Sequence, residues 1–207
     1  MNQAPIIAAD SNGIEKAAEC VLSGGLIVYP TETVYGLGAD PFHSSALERI
    51  FTIKARDRDK SLILLLPNGD YLSNLVSSVP EEARVLMDAF WPGPLTLVLP
   101  GKQALPDALL GPDATIAVRI SDSPVCQELL SHLGSAITST SANRSTCPPA
   151  VSVREAVRNL GTEVDMILDG GPAVDTRPST LVKVTDRPKI LREGRISSDA
   201  IRNILAK

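Results

Sequence analysis

A dense cluster of charged side chains occupies residues 54–60, which read KARDRDK. Lys54, Arg56 and Lys60 are cations; an arginine can hold a phosphate or carboxylate through two parallel hydrogen bonds, and a lysine supplies a point charge. The cluster leads directly into SLILLLP (61–67), which has the composition of a buried strand. Two interpretations follow. Either the cations bind an anion, or they close the preceding helix, whose C-terminal end favours positive charge.

Two further polar segments directly follow apolar runs. PTETVYGLGAD (30–40) carries several hydroxyls, including that of Thr33, and two glycines that permit close approach of a ligand to the backbone. STSAN (139–143) places four hydrogen-bonding side chains in five residues. In open α/β sheets, ligands bind where strands end. Each segment is therefore consistent with a neutral polar binding loop, and each is also consistent with a structural turn or helix cap.

Arginines occur in two more segments of this kind. Arg119 lies in AVRI (117–120), which otherwise has the composition of a buried strand. A buried arginine requires an anionic or carbonyl partner, whereas an arginine on an edge strand reaches solvent. PST (178–180) and LREGRIS (191–197) place a hydroxyl and arginines at the ends of predicted strands. Together, these segments indicate a single cleft for an anionic, hydroxyl-rich ligand, and a nucleotide has that chemistry.

The elements that would position these segments alternate along the chain. Helical spacing of apolar residues predicts helices at 14–23, 44–56 (with Ser44 or Ser45 as N-cap), 80–90, 123–132, 152–159 and from about Ser198. Apolar runs predict strands at 26–30, 61–67, 96–100, 115–120, 135–140 and 165–170, followed by STLVKV and KILRE. This alternation predicts an α/β fold, and short connections require some antiparallel pairing. We predict a mixed parallel/antiparallel sheet flanked by helices, in a single domain over residues 1–207.

Composition narrows the function classes. The hydrophobic content of 43% supports a packed core, and the net charge of −4 argues against a broad nucleic-acid surface. The cysteines Cys20, Cys126 and Cys147 are odd in number and far apart, which favours a reducing cytoplasm over a disulfide framework or zinc site. No signal peptide or membrane span of ~20 apolar residues is predicted. Serine catalysis is disfavoured, because the sequence has no GxSxG motif and neither His43 nor His132 is marked as a base.

The segments PTETVYGLG, the Lys-x-Arg of KARDRDK, WPGPLTLVLP, AVRI, STSANRS, PST and ILREGRIS resemble, in order and spacing, the YrdC-type threonylcarbamoyl-AMP synthases. The resemblance implies a twisted, mixed α/β fold of the YrdC type with a cationic concave cleft. It implies a nucleotidyltransferase reaction in which L-threonine, bicarbonate and ATP give threonylcarbamoyl-AMP and pyrophosphate, with Mg²⁺ on the phosphates. The product would supply the N6-threonylcarbamoyladenosine modification of tRNA through a separate transferase complex, so this chain needs little or no direct tRNA binding.

The resemblance also implies roles for individual residues. Those expected around the threonine are Thr33, Arg119, Ser139 and Ser179. Those expected around ATP are Arg56, Lys60, Thr115, Ser141, Asn143, Pro149 and Arg192. Lys54 and Arg56 are the candidate catalytic residues, because they would offset charge on the phosphates. No side chain is implied as a nucleophile, which leaves positioning and charge stabilisation as the source of catalysis.

Two departures from the family pattern and two rival functions remain open. Ser61 and Thr146 stand where the family commonly has proline and glycine. A non-enzymatic RNA-binding module acting in ribosome maturation would need a basic surface and exposed aromatics, which the negative net charge and 3% aromatic content disfavour. A carbamoyl-adenylate-forming relative, of the kind found in hydrogenase maturation, would belong to a much longer chain with zinc-finger segments.

Overall fold

The computed structural model describes residues 3–55, 61–145, 147–173 and 175–206. Its α-helices are α1 (Ser11–Leu22), α2 (Ser44–Lys54), α3 (Leu72–Leu75), α4 (Glu81–Phe90), α5 (Pro124–Leu133), α6 (Val153–Leu160) and α7 (Ser198–Leu205). Its strands are β1 (Ile6–Ala8), β2 (Ile27–Tyr29), β3 (Gly36–Gly38), β4 (Ile63–Leu65), β5 (Leu95–Pro100), β6 (Thr115–Arg119), β7 (Ile137–Thr138), β8 (Thr140–Ser141), β9 (Met166–Asp169), β10 (Thr180–Lys183) and β11 (Lys189–Arg192). This alternation confirms the predicted α/β class.

The strands form two mixed sheets. The five-stranded sheet has the order β1-β9-β2-β3-β8, in which β1, β9 and β2 run parallel and β3 and β8 are antiparallel additions. The six-stranded sheet has the order β11-β10-β5-β6-β4-β7, and its neighbouring pairs alternate between antiparallel and parallel. The predicted mixed pairing is confirmed, including the antiparallel hairpin of β10 and β11. It is divided between two sheets, whereas we predicted one.

The two sheets meet where β7 gives way to β8. The run 135–140, which we predicted as one strand, is interrupted at Ser139, because β7 pairs with β4 in the larger sheet and β8 pairs with β3 in the smaller one. The amide of Ser139 donates to the carbonyl of Ile63 at 2.7 Å, and the amide of Thr138 donates to the carbonyl of Ala39 at 3.0 Å. A single residue therefore separates the two sheets in this part of the chain.

Helices cover the sheets and close two buried clusters. Ile14 and Val21 of α1 pack with Leu129 of α5 and Leu168 of β9 in the smaller cluster. The larger cluster contains apolar residues of α2, β4, β5 and β6. None of the helices in the described ranges is long and apolar enough to cross a membrane.

Helix starts differ from the predictions for local reasons. Helix α1 begins at Ser11, earlier than predicted, because the carboxylate of Asp10 accepts the amide of Gly13 at 2.8 Å and caps the first turn. The N-cap of α2 is His43, which makes no side-chain capping bond. The predictions of Ser44 or Ser45 as that cap are therefore wrong.

Strand β3 lies in the glycine-rich segment that we predicted as a loop. The ring of Tyr29 lies close against it: a Cβ at Gly38 would stand 2.7 Å from Cε1 of Tyr29 and 2.9 Å from the carbonyl oxygen of Thr138. Tyr29 is fully buried and its hydroxyl donates to that same carbonyl at 3.2 Å, and burial raises its pKa. Gly38 therefore serves the packing between strands, whereas Gly36 lines a cavity.

Candidate active site

A cavity of about 190 Å³ lies beside Ser139, at the junction of the two sheets. A water molecule accounts for about 30 Å³ of the liquid, so this volume suits a small polar ligand. All four residues predicted around the threonine contribute to its wall: Thr33, Arg119, Ser139 and Ser179. Three of the residues predicted around ATP also line it, namely Ser141, Pro149 and Arg192. The structure thus brings together strand-end segments that are far apart in sequence.

The hydroxyl of Thr33 is held by its own loop. The hydroxyl of Thr31 donates to the carbonyl of Val34 at 2.7 Å and accepts the amide of Thr33 at 3.1 Å. The two threonine hydroxyls lie 3.0 Å apart. Because the proton of the Thr31 hydroxyl is committed to Val34, Thr33 is the donor in that contact. Its own oxygen then remains able to accept a hydrogen bond from a ligand in the cavity.

The segments PST and LREGRIS form another part of the wall. The hydroxyl of Thr180 accepts the amide of Gly194 at 2.9 Å, which draws the two segments together. Only glycine fits there, since a Cβ at Gly194 would stand 2.1 Å from the carbonyl oxygen of Pro178. Arg192 then donates from Nη2 to the carbonyl of Ser179 at 3.0 Å. The hydroxyl oxygen of Ser179 lies 2.8 Å from the hydroxyl of Thr96 and 3.4 Å from Nη2 of Arg192.

Two cationic side chains share this wall. Arg119, at the end of β6, is only 4% exposed, and Arg192 ends β11. Partial burial of the guanidinium, followed by the positive charge of Arg119, lowers the pKa of Arg192. Arginine stays protonated in proteins even so. Guanidinium groups with restricted access to water can bind an anion through charge-assisted hydrogen bonds.

Arg119 has an anionic partner inside the protein. Its Nη2 lies 2.9 Å from Oε1 and 3.1 Å from Oε2 of Glu32. The hydroxyl of Ser121 donates to the same carboxylate. This contact decides between the two alternatives for Arg119, which is buried and paired rather than reaching solvent from an edge strand. Glu32 is absent from our sequence candidates, although a carboxylate between two hydroxyl residues of a predicted binding loop is a signal for it.

A second cavity of about 540 Å³ adjoins the first across the face of the six-stranded sheet. Arg192 and Ile63 line both cavities. Thr115, another predicted ATP residue, lines only the second one, where its hydroxyl donates to the carbonyl of Pro112 at 2.8 Å. The remaining wall combines mainly apolar side chains with one serine and two lysines: Val98, Pro112, Ala117, Leu181, Leu191, Ser61, Lys183 and Lys189. An apolar surface bordered by cations suits a heterocyclic base with attached phosphates.

Lys54 and Asn143 lie behind the wall of the first cavity. Lys54 is 1% exposed, and its Nζ donates to the carbonyl of Ser141 at 2.5 Å and to the carbonyl of Asn143 at 2.7 Å. The side-chain amide of Asn143 in turn donates to the carbonyl of Cys147. Neither Lys54 nor Asn143 is among the residues lining the two cavities. Their contacts shape the STSAN backbone, and direct contact with ATP stays a prediction for both.

Helix α2 ends at Lys54, where Ala55 adopts a left-handed conformation with φ 46°. The predicted ATP residues Arg56 and Lys60 lie outside the described residues, as does Thr146. The cationic character predicted for the cleft depends on the first two residues and stays a prediction.

Other catalytic arrangements find little support in the described ranges. Neither His43 nor His132 lines either cavity. No group of three or more His, Cys, Asp or Glu side chains that could hold a metal ion occurs in the part of the chain that the structure describes. The cavities instead offer hydroxyls, carbonyls and guanidinium groups. This arrangement can orient and neutralise an anionic ligand.

The fold and the site together define an α/β protein with two mixed sheets and a polar cleft where the sheets join. Residues 19–194 match the Sua5/YciO/YrdC domain family, which is described as telomere recombination. The chain belongs to this family.

Individual relatives agree with this assignment. A threonylcarbamoyl-AMP synthase of Halorhodospira halophila is 37% identical over 182 residues, which cover 88% of this chain and 90% of that protein. The crystal structure of Pyrococcus abyssi Sua5 complexed with L-threonine matches with a TM-score of 0.93 at 33% identity, over 97% of this chain and 61% of that longer chain. E. coli YciO matches with a TM-score of 0.85 at 31% identity, over 97% of this chain and 100% of that one.

Proposed function

We propose that this chain is an L-threonylcarbamoyladenylate synthase, a nucleotidyltransferase that makes threonylcarbamoyl-AMP and pyrophosphate from L-threonine, bicarbonate and ATP. One observation carries the proposal. Thr33, Arg119, Ser139 and Ser179 come from four distant segments and line one small cavity. A relative with the same fold is described in complex with L-threonine. The similarity of the chain to threonylcarbamoyl-AMP synthases supports the same reaction.

Threonine binding follows from the groups in the smaller cavity. Arg119 supplies a guanidinium for the α-carboxylate, and arginine matches a carboxylate through paired hydrogen bonds. The hydroxyl oxygens of Thr33, Ser139 and Ser179 can accept from the amine or exchange hydrogen bonds with the substrate hydroxyl. An amino acid in this position lies next to Arg192, which borders the larger cavity as well.

ATP would occupy the larger cavity, with its base on the apolar face of the sheet and its phosphates towards Arg192. The amine of threonine attacks CO₂ derived from bicarbonate and loses a proton, which gives a carbamate. A carbamate oxygen then attacks the α-phosphorus, and the bond to the bridging oxygen of the β-phosphate breaks to release pyrophosphate. Arg192 lies between the cavities, so it can offset charge on both the carbamate and the phosphates. Arg56 and Lys60 are the further cations that we assign to this role, and we assign Lys54, which lies behind the wall, to holding the STSAN backbone.

We propose that Mg²⁺ binds together with ATP and not at a site of its own on the protein. Mg²⁺ prefers carboxylate, water and phosphate oxygens, whereas the side chains lining the two cavities supply hydroxyls and cations. The cavity walls therefore do not fit a resident magnesium ion, and no step is assigned to one here. The ion would be held by the phosphate oxygens of the substrate.

The cellular setting that we propose follows from the product. A separate threonylcarbamoyl transferase complex would use the adenylate to modify tRNA in the cytoplasm. This chain would act as a single domain with weak or no direct binding of tRNA. The negative net charge supports that division, since tight tRNA binding depends on neutralising many phosphates.

Pyrophosphate release tests the proposal directly. The protein is incubated with Mg-ATP, L-threonine and bicarbonate, and pyrophosphate and threonylcarbamoyl-AMP are quantified together. We expect both products only when all three substrates are present. Pyrophosphate release that persists without threonine would refute the assignment. Tight tRNA binding without ATP turnover would instead favour an RNA-binding module, and turnover with carbamoyl phosphate in place of threonine would favour carbamoyl-adenylate chemistry.

A further inference from the structure

A buried carboxylate stands directly behind the threonine cavity. The side chains of Glu32 and Arg119 are 8% and 5% exposed, and a single guanidinium nitrogen, Nη2, contacts both carboxylate oxygens. Ser121, which is fully buried, donates to Oε2 from the other side. Arg119 lines the cavity, but Glu32 does not. Glu32 therefore contacts Arg119, the residue that would bind the substrate, and does not contact the substrate itself.

The pair leaves one arginine donor without a partner. Nε of Arg119 is buried and has no hydrogen-bond partner among the described residues, and Oε1 of Glu32 receives no well-directed hydrogen bond. Buried donors of this kind are costly unless a ligand or water satisfies them. The guanidinium is thus anchored to Glu32 through Nη2 alone, and the part of Arg119 that lines the cavity is left to contact a ligand.

The backbone of Glu32 is anchored as well. Arg195, in the LREGRIS segment, donates from Nη1 to the carbonyl of Glu32 at 3.0 Å. Its Nε lies 3.5 Å from the carboxylate of Asp175. The loop that carries Glu32 is therefore held at two points. Arg119 and Ser121 hold the carboxylate of Glu32, and Arg195 holds its backbone carbonyl. An anchor at both ends suits a group that fixes the position of another.

We propose that Glu32 is a positioning residue for substrate selection: it holds the guanidinium of Arg119 so that the remaining donors of Arg119 bind the α-carboxylate of the amino acid. This inference rests on the proposed function, because it takes the cavity ligand to be threonine. Glu32 touches neither substrate nor nucleotide. Its effect should therefore be confined to recognition of the carboxylate, and ATP affinity should be unchanged.

A simple charge argument makes the opposite prediction. Glu32 is an anion near the expected position of the substrate carboxylate, so its removal would strengthen threonine binding if electrostatic attraction alone decided the outcome. If orientation decides, removal allows the guanidinium to shift, and misplacement by about 1 Å can cost roughly a hundredfold in activity. The sign of the change in threonine KM separates these two accounts.

The experiment measures pyrophosphate release against threonine concentration for Glu32→Gln, which keeps the shape of the side chain and removes its charge. We expect the threonine KM to rise by about tenfold or more, up to roughly a hundredfold. The ATP dissociation constant, measured by calorimetry without threonine, should stay within about twofold. Selectivity for L-threonine over L-threonine amide should fall, because the carboxylate is no longer read precisely. A role limited to fold stability would leave that selectivity unchanged.

Two further variants keep the test decisive if Glu32→Gln fails to fold. Glu32→Asp retains the charge with a shorter reach, and Ser121→Ala removes one hydrogen bond to the carboxylate. Both should raise the threonine KM by less than Glu32→Gln. Asp165→Asn is the matched control, since Asp165 also pairs with an arginine, Arg49, and with a backbone amide, but lines neither cavity.

Each outcome has a distinct meaning. A threonine KM that is unchanged or lower in Glu32→Gln, or in both substitute variants, overturns the inference. An equal rise in Asp165→Asn overturns it too, because instability alone would then explain the effect. Absence of threonine-dependent turnover in the unaltered protein would instead count against the proposed function.

Discussion

Substitution of Lys54 by methionine tests whether the STSAN backbone depends on a buried ammonium. The Nζ of Lys54 donates to the carbonyls of Ser141 and Asn143 at 2.5 and 2.7 Å, and lies 3.3 Å from the side-chain oxygen of Asn143. A hydrogen bond to a charged group contributes about 1.5–3 kcal/mol, and the cost of burying the ammonium offsets part of the sum. Methionine retains most of the packing of the stem. We therefore expect Lys54→Met to lower the free energy of unfolding by about 3 kcal/mol.

For a chain of this size, each kcal/mol shifts the melting temperature by about 2–4 °C, so the expected fall is roughly 6–12 °C. Urea unfolding followed by circular dichroism measures the free energy, and calorimetry measures the accompanying loss of ATP affinity. Lys102→Met is the matched control, because Lys102 also donates to a carbonyl, that of Ser73 at 2.5 Å, but does so at the surface. Its effect should stay within about 0.5 kcal/mol. Equal stability of Lys54→Met and the unaltered protein would refute the reasoning.

Three other predictions address the rest of the site. Ser141→Ala should weaken ATP binding by about 1 kcal/mol in calorimetry with little change in melting temperature, and unchanged binding would return the segment to a purely structural turn. Arg56→Ala should reduce adenylate formation by roughly 30- to several-thousandfold, whereas Arg58→Ala, outside the Lys-x-Arg pair, should do much less; equal losses would contradict the anion site. Hydrogen bonds from Arg177 lower the pKa of Asp175 to about 2. Because the pKa in the unfolded chain is higher, at about 3.9, the stability from this contact is complete above about pH 4 and lost as pH falls towards 2. The stability difference between the unaltered protein and Asp175→Asn should close over that range in acid titration, and a difference persisting below it would argue against the contact.

The fold was predictable where one signal dominated. Long apolar periodicity placed most of the helices, and apolar runs placed β2, β4, β5 and β6 within a residue or two. We did not predict strand β3 because its sequence, Gly-Leu-Gly, has low strand propensity. Its Gly38 is required by close contacts with Tyr29 and Thr138 that only the tertiary fold makes. The interruption at Ser139 also left no trace in the sequence, since it reflects a change of pairing partner and not a change of composition.

Part of the site could be predicted from one sequence rule, which is that hydroxyl and cationic side chains directly after a strand mark a binding site. That rule selected Thr33, Ser139 and Ser179, which line one cavity. It could not indicate which polar groups point inward to hold others. Lys54 has the sequence position of a helix-end cation, but its ammonium is buried against main-chain carbonyls of a segment distant in sequence. Glu32 was missed for the same reason, because its partner Arg119 is brought to it only by the tertiary fold.

The junction at Ser139 has a consequence for folding. The contact between Thr138 and Ala39 closes a loop of 99 residues, and contacts of such long range form late because the entropy of closing the loop opposes them. The small cavity depends on both sheets, so a partly folded chain with only one sheet in place has no complete binding site. A ligand in the cavity therefore stabilises only the fully docked state, in proportion to the logarithm of its concentration over its dissociation constant. Bound substrate would stabilise the packing of the two sheets against each other. A saturating concentration of substrate would therefore protect the amides of β7 and β8 from hydrogen exchange more than those of the distant helix α7.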